Sequence, residues 1–202
     1  MMPKLLLATN NQAKVREYLR LLHDVPFKLV TLAEEGIAFE ISETGASLEE
    51  NAILKATTYA AMSQTPALAD DSGLEVDALG GEPGVRAARY AGENSSDKKR
   101  VDYLLAKLED IPPEERSARF RCVIAIATPA GKVELCSGEC LGLISLEPKG
   151  KMGFGYDPIF YLPELGKTMA ELPMEVKNQL SHRGKAAREA CQVLERLKEI
   201  YP

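Results

Sequence analysis

Two adjacent carboxylates follow a short apolar segment in the stretch LADDSGLEV. Asp70 and Asp71 stand where the apolar residues end. Paired carboxylates at such a point can hold Mg²⁺ through their oxygens, and one of them can orient a water molecule for hydrolysis. The alternative is a plain turn, because Asp, Ser and Gly all favour turns. A turn does not need two adjacent negative charges, so we predict a metal-binding or catalytic role for the pair.

Polar residues also interrupt the chain directly after its first apolar run, KLLLA. Thr9 and two asparagines come next, and Lys14 lies one turn into the helix that we predict there. The free N–H groups and the dipole of a helix start attract anions, and the Lys14 ammonium can reach a phosphate bound at this point. The alternative is an asparagine cap beside a surface lysine. The turn lacks the glycines of a Walker loop or a Rossmann fingerprint, so neither motif applies.

The segment SETGASLEENAILKA adds a third acid and a second lysine. Glu43 is a candidate partner for the acidic pair, or else a solvated acid in a polar loop. Ser47 followed by Glu50 is a capping box, which predicts a helix starting directly after Ser47. Asn51 and Lys55 lie one turn apart on this helix. A functional role for Lys55 requires that this face meets the ligand; otherwise Lys55 is a solvated residue.

Aromatic and basic residues in the last third of the chain are candidates for binding a nucleotide base. Phe154 lies between glycines in MGFGYDPIF, and an aromatic ring in such a loop can stack on a base. Asp157 can bond a base edge; alternatively, the loop is a tight turn with Phe154 buried inward. His182, with Lys177 and Arg183, forms a donor-rich cluster at a predicted helix start, and arginine suits purine O6 and N7. A capping serine followed by surface basic residues is the alternative there.

The elements that position these residues alternate between strands and helices at both ends of the chain. We predict strands over 4–8 and 27–32, helices over 12–22, from 48 onward, over 96–110 and over 183–201, a hairpin over 118–145 with its turn at 129–131, and a strand after the glycine-rich loop of 150–157. The stretch 66–81 predicts a short buried strand, an acidic turn and a second strand. The last helix places Ala186, Ala190, Val193, Leu197 and Ile200 on its core face. This pattern favours an α/β fold with a mixed sheet.

Composition and charge restrict the classes of function. The chain has 202 residues, a net charge of −5 and a pI of about 5.3. An acidic chain is poorly suited to gripping nucleic acid, and no apolar run approaches the ~20 residues of a membrane span. The first apolar run is too short for a signal peptide, so we expect a cytoplasmic protein with neither nucleic acid nor membrane as partner. The four cysteines lack a nearby histidine, which favours core thiols over a metal site.

Five segments occur here in the order found in the inosine/xanthosine triphosphate pyrophosphatases, which remove non-standard purine nucleotides. They are TNNQAKVRE, SETGASLEENAILKA, ALADDSGLEVDALGGEPGVRAARYAG, GFGYDPIF and SHRGKA. Each segment alone is weak, but five in order from Thr9 to the last helix are specific, so the chain resembles this family over almost its full length. The resemblance implies a single domain over residues 1–202, with an elongated mixed β-sheet flanked by helices and two lobes with a cleft between them.

The resemblance also implies a reaction and its requirements. A purine nucleoside triphosphate such as ITP, dITP or XTP would be hydrolysed between its α and β phosphates, giving a monophosphate and pyrophosphate. The implied cofactor is Mg²⁺, and the implied assembly is a homodimer.

Carried over position by position, the resemblance makes Asp71 the general base and a metal ligand, with Asp70 as a further candidate ligand. The implied substrate-binding residues are Thr9, Asn10, Asn11, Gln12, Ala13, Lys14, Lys55, Ser72, Phe154, Gly155, Tyr156, Asp157, Lys177, His182 and Arg183. Those from Thr9 to Lys14, with Lys55, would hold phosphates, and those from Phe154 onward would hold base and sugar. Family members often carry two acids before TG, whereas this chain has Ser42 in the first of those places. Glu43 is therefore the candidate metal-binding acid of that segment.

Two other functions use the same residues. A non-catalytic nucleotide-binding module would need the phosphate turn and the aromatic loop, but two carboxylates near phosphates make little sense without a metal. A different nucleotide pyrophosphatase, acting on pyrimidine or modified nucleotides, would differ in its substrate profile.

Overall fold

The computed structural model of this protein describes residues 2–199. Within this range, eight strands form one sheet in the order β2-β1-β3-β5-β6-β7-β8, with β4 paired to β3. The strands are β1 (Lys4–Leu7), β2 (Lys28–Thr31), β3 (Ala67–Val76), β4 (Pro83–Gly84), β5 (Ser117–Ala127), β6 (Val133–Ile144), β7 (Phe160–Leu162) and β8 (Lys167–Thr168). β1 is parallel to β2 and β3, whereas β3 with β4, β6 with β7 and β7 with β8 are antiparallel. The predicted mixed sheet is confirmed.

Five α-helices accompany the sheet in the described part of the chain. They are α1 (Gln12–Leu21), α2 (Leu48–Ser63), α3 (Asp97–Lys107), α4 (Met174–Leu180) and α5 (His182–Lys198). α4 is not among the helices predicted from the sequence, because its seven residues are too few to display a helical period. The predicted end of the last helix at Tyr201, with Ile200 on its core face, lies outside the described residues. No helix between residues 2 and 199 has the length and apolar character needed to cross a membrane.

Local sequence signals explain where the helices begin. The Ser47 hydroxyl accepts a hydrogen bond from the Glu50 N–H (3.1 Å) at the start of α2, as the predicted capping box requires. The Glu50 carboxylate in turn accepts from the N–H of Ala46 (2.7 Å). Ser96 caps α3 in the same way, through the N–H of Lys99 (3.2 Å). These bonds span four residues or fewer, so the sequence alone predicts them.

The acidic turn predicted within 66–81 is wrong. β3 is one continuous strand, and Asp70 and Asp71 lie inside it rather than at its end. β1 pairs with this strand at Ala67 and Leu68, β4 pairs with it at Leu74 and Glu75, and β5 is a further neighbour in the sheet. Strand pairing before and after the two aspartates therefore favours an extended backbone over a turn. Turn-forming residue types were overruled here by tertiary contacts.

The predicted hairpin is confirmed, with β5 and β6 as neighbours in the sheet. Its turn is closed by the Thr128 N–H, which donates to the Lys132 carbonyl (2.9 Å). The cysteines are core residues with free thiols, as predicted: Cys122, Cys136 and Cys140 are buried, and Cys191 packs partly buried against apolar neighbours.

The chain divides into two compact units. The first comprises Met1–Asp71, Cys122–Gly138 and Arg183–Pro202, and the second comprises Ser72–Arg121 and Glu139–His182. Each has an apolar core of its own. The core of the first includes Leu7, Tyr18, Ile124 and Leu194, and the core of the second includes Leu74, Leu104, Phe120, Phe160 and Met169.

Candidate active site

The start of α1 carries the first of the predicted phosphate-binding residues. Asn11 is the N-cap, and its side-chain oxygen accepts from the N–H groups of Ala13 (2.9 Å) and Lys14 (3.2 Å). The asparagine cap that was the alternative for this turn is therefore present. Lys14 is not the surface lysine of that alternative, because its Nζ lies 3.0 Å from Asp70 Oδ2 and only 14% of its side chain is exposed. Thr9 is half-buried at the same turn.

Asp70 is a fully buried carboxylate surrounded by cations. Besides Lys14, its Oδ2 lies 3.4 Å from Nε of Arg183, and the Cys122 thiol is 3.8 Å away. Burial opposes ionisation of Asp70, but the positive charges of Lys14, Arg183 and Lys55 outweigh it and hold the pKa of this carboxyl well below its usual range. Asp70 therefore stays ionised as the counter-ion of this group of cations.

Asp71 is perturbed in the opposite direction. Successive strand residues point to opposite faces, so Asp71 meets other neighbours than Asp70 does. Its Oδ2 accepts a hydrogen bond from Nδ2 of Asn51 (3.0 Å). Burial raises the pKa of Asp71, and the negative charge of Glu43 adds to this, while Lys55 and Lys14 oppose it. A carboxylate with raised proton affinity has the character that a general base requires.

Lys55 links these acids. Its Nζ lies 2.6 Å from Oε1 of Glu43 and donates to the backbone carbonyl of Asp70 (2.7 Å). Burial alone would lower the pKa of Lys55, but Asp71, Glu43 and Asp70 together raise it. The predicted face of α2 that carries Lys55 therefore meets the acidic residues rather than solvent. We call Lys14, Glu43, Lys55, Asp70 and Asp71 the acid cluster; all five belong to the first unit.

No group of three or more His, Cys, Asp or Glu side chains is placed to hold a metal ion among residues 2–199. In the acid cluster, Glu43 and Asp71 are close enough for the charge of one to raise the proton affinity of the other. They are two hard oxygen donors of like charge. Ser42, which directly precedes Glu43 in the sequence, is exposed.

Residues 153–157, which we call the Phe154 loop, belong to the second unit. Asp157 is buried, and its Oδ2 accepts from the N–H of Phe154 (2.9 Å) and from Nζ of Lys177 (2.5 Å). That ammonium also lies 4.9 Å from the centroid of the half-buried Phe154 ring. Gly153 has φ +77°, and a Cβ there would lie 2.0 Å from Asp157 Oδ2, so only glycine fits. Asp157 thus joins the two ends of the loop through Phe154 and links the loop to α4 through Lys177.

His182 and Ser72 also belong to the second unit. His182 is the first residue of α5 and is buried, with its ring stacked on Phe120 at a centroid distance of 4.6 Å. It is therefore not the surface residue of the alternative reading. Ser72 is half-buried on β3.

Arg183, the next residue of α5, belongs to the first unit. Its Nη1 lies 2.7 Å from Oε2 of Glu17, and its Nε lies 3.4 Å from Asp70. Only 2% of the Arg183 side chain is exposed. The structure thus places this residue among buried carboxylates, whereas the sequence placed it with Lys177 and His182 in one donor-rich cluster.

Comparison with known proteins identifies the family. Residues 5–193 match the Ham1 family. The chain belongs to the Ham1 family. It is 51% identical over 194 residues to a protein of Desulforamulus reducens named dITP/XTP pyrophosphatase, covering 96% of each chain. A protein of the same name from Geobacter sulfurreducens is 51% identical over 185 residues, 92% of this chain and 93% of its own.

Solved structures agree with this assignment. The structure of a HAM1 protein from Coxiella burnetii superposes with a TM-score of 0.88 at 43% identity, covering 96% of this chain and all of that one. The resemblance drawn from the five segments is confirmed, and so is the α/β class with a mixed sheet flanked by helices.

The sequence analysis of this Ham1 chain missed Glu17 as a neighbour of the acid cluster. Glu17 is buried and ion-paired to Arg183. A signal was present, since Glu17 follows Lys14 by three positions and so shares its face of α1. Asn51 was noted as a neighbour of Lys55 but not as a partner of Asp71, because nothing local connects residues 20 positions apart.

Proposed function

We propose that this protein hydrolyses non-standard purine nucleoside triphosphates, such as ITP, dITP and XTP, to the monophosphate and pyrophosphate. The observation that carries the proposal is the geometry of the acid cluster: Lys14 lies 3.0 Å from the buried Asp70, Lys55 lies 2.6 Å from Glu43, and Asn51 donates to the buried Asp71 (3.0 Å). Membership of the Ham1 family and relatives named dITP/XTP pyrophosphatase support it.

Asp71 is the proposed general base. Its raised pKa lets it accept a proton from an attacking water, which a carboxylate with the low pKa of Asp70 would do poorly. The Asn51 amide donates to Oδ2 of Asp71 and so fixes the orientation of the carboxylate. The water oxygen forms a bond to a phosphorus of the α–β phosphoanhydride as the bridging P–O bond breaks, which releases the monophosphate and pyrophosphate. The proton of the attacking water passes to Asp71 and then to solvent.

Lys14 and Lys55 are the proposed phosphate-binding cations, with Thr9 to Ala13 at the start of α1 and with Ser72. Phosphoryl transfer depends on positioning and on neutralising charge. Both lysines are held by carboxylates, Lys14 by Asp70 and Lys55 by Glu43. When a triphosphate binds, its oxygens can replace these carboxylates as the anionic partners of the two lysines. Neither lysine is then left without a negative charge beside it.

Mg²⁺ is the proposed metal, held by Glu43 and Asp71. Asp70, the further candidate, would have to exchange its present counter-ions Lys14 and Arg183 for the metal. Mg²⁺ is commonly bound by one or two carboxylates together with substrate phosphates and water rather than by an all-protein cage. The cluster fits this mode, since the charge of Glu43 raises the pKa of Asp71 and a cation would relieve this repulsion. When bound, the metal would neutralise charge on the phosphates.

The Phe154 loop is the proposed base-binding element, with Phe154 stacking on the purine and Gly155, Tyr156 and Asp157 shaping the loop. Lys177, His182 and Arg183 are the proposed polar partners of base and sugar. A buried donor aimed at O6 accepts hypoxanthine and xanthine but is left unpaired by the amino group of adenine. Arg183→Ala tests its part: the preference for ITP over ATP should fall by a larger factor than the rate of pyrophosphate release, and an unchanged preference would show that Arg183 does not contact the base.

We further propose that residues 1–202 act as one pyrophosphatase domain of two lobes, that the protein is a homodimer, and that it works in the cytoplasm. Light scattering of the purified protein tests the dimer: the mass should be twice the 22.1 kDa of one chain.

The reaction is tested by incubating the purified protein and Mg²⁺ separately with ITP, XTP, GTP, ATP, CTP and UTP, while pyrophosphate and inorganic phosphate are assayed in parallel. We expect pyrophosphate from ITP and XTP and little from ATP or GTP. Release of inorganic phosphate would move the cut to the γ position and contradict the mechanism. Turnover of pyrimidine nucleotides alone would support a different nucleotide pyrophosphatase, and binding without turnover would support a non-catalytic module.

A further inference from the structure

Asp97, the first residue of α3, is hydrogen-bonded to the backbone of the Phe154 loop. Its Oδ2 accepts a hydrogen bond from the N–H of Gly155 (2.7 Å), although 58 positions separate the two residues. Gly155 has φ +62°, in the left-handed region, and apart from its two chain neighbours no residue has an atom within 4 Å of the position that its Cβ would take. Side-chain packing therefore does little to hold Gly155 in place, whereas its hydrogen bond to Asp97 restrains it.

Arg100 in turn fixes Asp97. Its Nη2 donates to Oδ1 of Asp97, while Nη1 donates to the carbonyls of Ser95 (2.5 Å) and Ala88 (2.9 Å). The side chain of Asp97 is 49% exposed, whereas that of Arg100 is 17% exposed, so the less exposed arginine orients the more exposed acid. One carboxylate thus links a fixed guanidinium to the backbone of the loop.

A second anchor acts on the next residue of the loop. The hydroxyl of the buried Tyr156 donates to the carbonyl of Ala87 (3.0 Å), one residue before the Ala88 carbonyl that Arg100 binds. The segment 87–100 therefore holds the Phe154 loop at two successive residues. Phe154 itself precedes both anchors and carries the ring that is proposed to stack on the base.

We propose that Asp97 is a positioning residue for base recognition: it fixes Gly155, and through it holds the Phe154 ring ready for the purine. This inference rests on the proposed function of the loop. A flexible glycine loop must be ordered when ligand binds, and fixing it in advance removes that cost from binding. Asp97 bonds to Gly155 and to Arg100, neither of which is a proposed phosphate-binding residue for the chemical step, so its loss weakens substrate binding and leaves the chemical step intact.

The matched test compares Asp97→Ala, Asp97→Asn and Asp102→Ala. Asp102 is an exposed acid of the same helix, paired to Lys98 and not to the loop, so its removal controls for lost charge on α3. A hydrogen bond to a charged group is strong enough that Asp97→Ala should raise KM for ITP by about ten-fold, with kcat within about two-fold of wild type. Asp97→Asn keeps an acceptor oxygen and should stay within about three-fold in KM. Asp102→Ala should be indistinguishable from wild type.

Three results would overturn the proposal: Asp97→Ala matching Asp102→Ala, a loss in kcat without a change in KM, or Asp97→Asn failing as badly as Asp97→Ala. If circular dichroism shows that Asp97→Ala unfolds at a lower temperature than wild type, Arg100→Met is the second variant. It retains Asp97 but removes the guanidinium that orients it, and it should raise KM by a smaller factor. An unchanged KM in that variant would also count against the proposal.

A second readout does not depend on turnover. The chain contains no tryptophan, so Phe154→Trp introduces a single fluorescent ring in the loop. The anisotropy of that indole should fall when Asp97→Ala is added and stay constant when Asp102→Ala is added. If the anisotropy falls but the unaltered protein does not turn over ITP, the proposed function is refuted and the positioning of Gly155 by Asp97 stands. If the anisotropy does not change, the positioning of Gly155 by Asp97 is refuted.

Discussion

The acid cluster and the Phe154 loop each contain a close aspartate–lysine contact, but the two contacts have different consequences. Lys14 lies 3.0 Å from Asp70 in a network that includes Lys55, Glu43 and Asp71. Lys177 lies 2.5 Å from Asp157, whose carboxylate also accepts a backbone N–H of the loop. The first contact belongs to a set of charges that adjusts proton affinity, and the second fixes the path of the main chain.

The groups that surround a carboxylate, rather than its residue type, decide its pKa in these two regions. Asp70 and Asp71 are identical in type and adjacent in sequence, yet the pKa of one is lowered and that of the other is raised. The difference follows from their surroundings: Lys14, Arg183 and Lys55 overcome the burial of Asp70, whereas burial of Asp71 and the charge of Glu43 outweigh Lys55 and Lys14 there. Variants of each region should therefore fail in different ways.

The largest expected effect on activity is that of Asp71→Asn. Removing a general base typically lowers the rate by about 10²–10⁴-fold, and asparagine cannot accept the proton. Pyrophosphate release from ITP in the presence of Mg²⁺ measures the loss. Circular dichroism should show a folded protein, because the asparagine oxygen can still accept from Asn51. Near-normal turnover would remove Asp71 as the base and leave the acid cluster without a catalytic residue.

The next effect is on stability, for Asp70→Asn. Breaking a buried ion pair by removing one partner typically costs about 3–5 kcal/mol, because Lys14 and Arg183 lose the charge that compensates them. The lowered pKa of Asp70 means that its contribution is present above the unfolded-state pKa and is lost as pH falls through the folded-state pKa. Urea unfolding at pH 7 measures the change. Asp102→Asn, at an exposed ion pair, should change the unfolding free energy by less than ~0.5 kcal/mol; equal losses would show that the Asp70 pairs are not special.

A smaller and different effect is expected in the Phe154 loop, from Asp157→Asn. Asparagine can still accept the N–H of Phe154 but loses the charge that Lys177 contacts, so the loop loosens. The free energy of unfolding should fall as well, because both side chains of this ion pair are buried. KM for ITP should rise by about ten-fold, as for loss of a charge-assisted bond, while kcat stays within a few-fold. Steady-state kinetics with ITP separate the two constants. A fall in kcat at constant KM would erase the contrast between the two regions, since the loop would then affect the chemical step.

The smallest effect is a shift in titration. In protein freed of metal by a chelator, the Asp71 carboxyl should titrate above the usual range for an aspartate, and Glu43→Gln should move the midpoint down, because a neighbouring negative charge is removed. Since the folded-state pKa is raised, the contribution of Asp71 to stability is present below its unfolded-state pKa and is lost as pH rises through the folded-state value. Carbon-detected NMR of the carboxyl group follows the titration. Glu109→Gln, at an exposed site, should leave the midpoint in place; a shift there would point to net charge rather than to Glu43.

Much of the fold could be read from the sequence because its signals are local. The cap at Asn11 and the capping box at Ser47 involve bonds over two or three positions. The hairpin of β5 and β6 follows from two long apolar runs around a short turn. The five segments also identified the family. The prediction failed at β3, where the residue types favoured a turn and sheet pairing imposed a strand.

The residue types of the acid cluster were determined by the sequence alone: two adjacent aspartates, two lysines and a third acid that a reader can name without coordinates. What only the tertiary structure decided is how those residues behave. Arg183 meets Asp70 across 113 positions, Asn51 meets Asp71 across 20, and Asp97 meets Gly155 across 58. Burial and charge act through space rather than along the chain, so the protonation of Asp71 and the anchoring of Gly155 are set by folding.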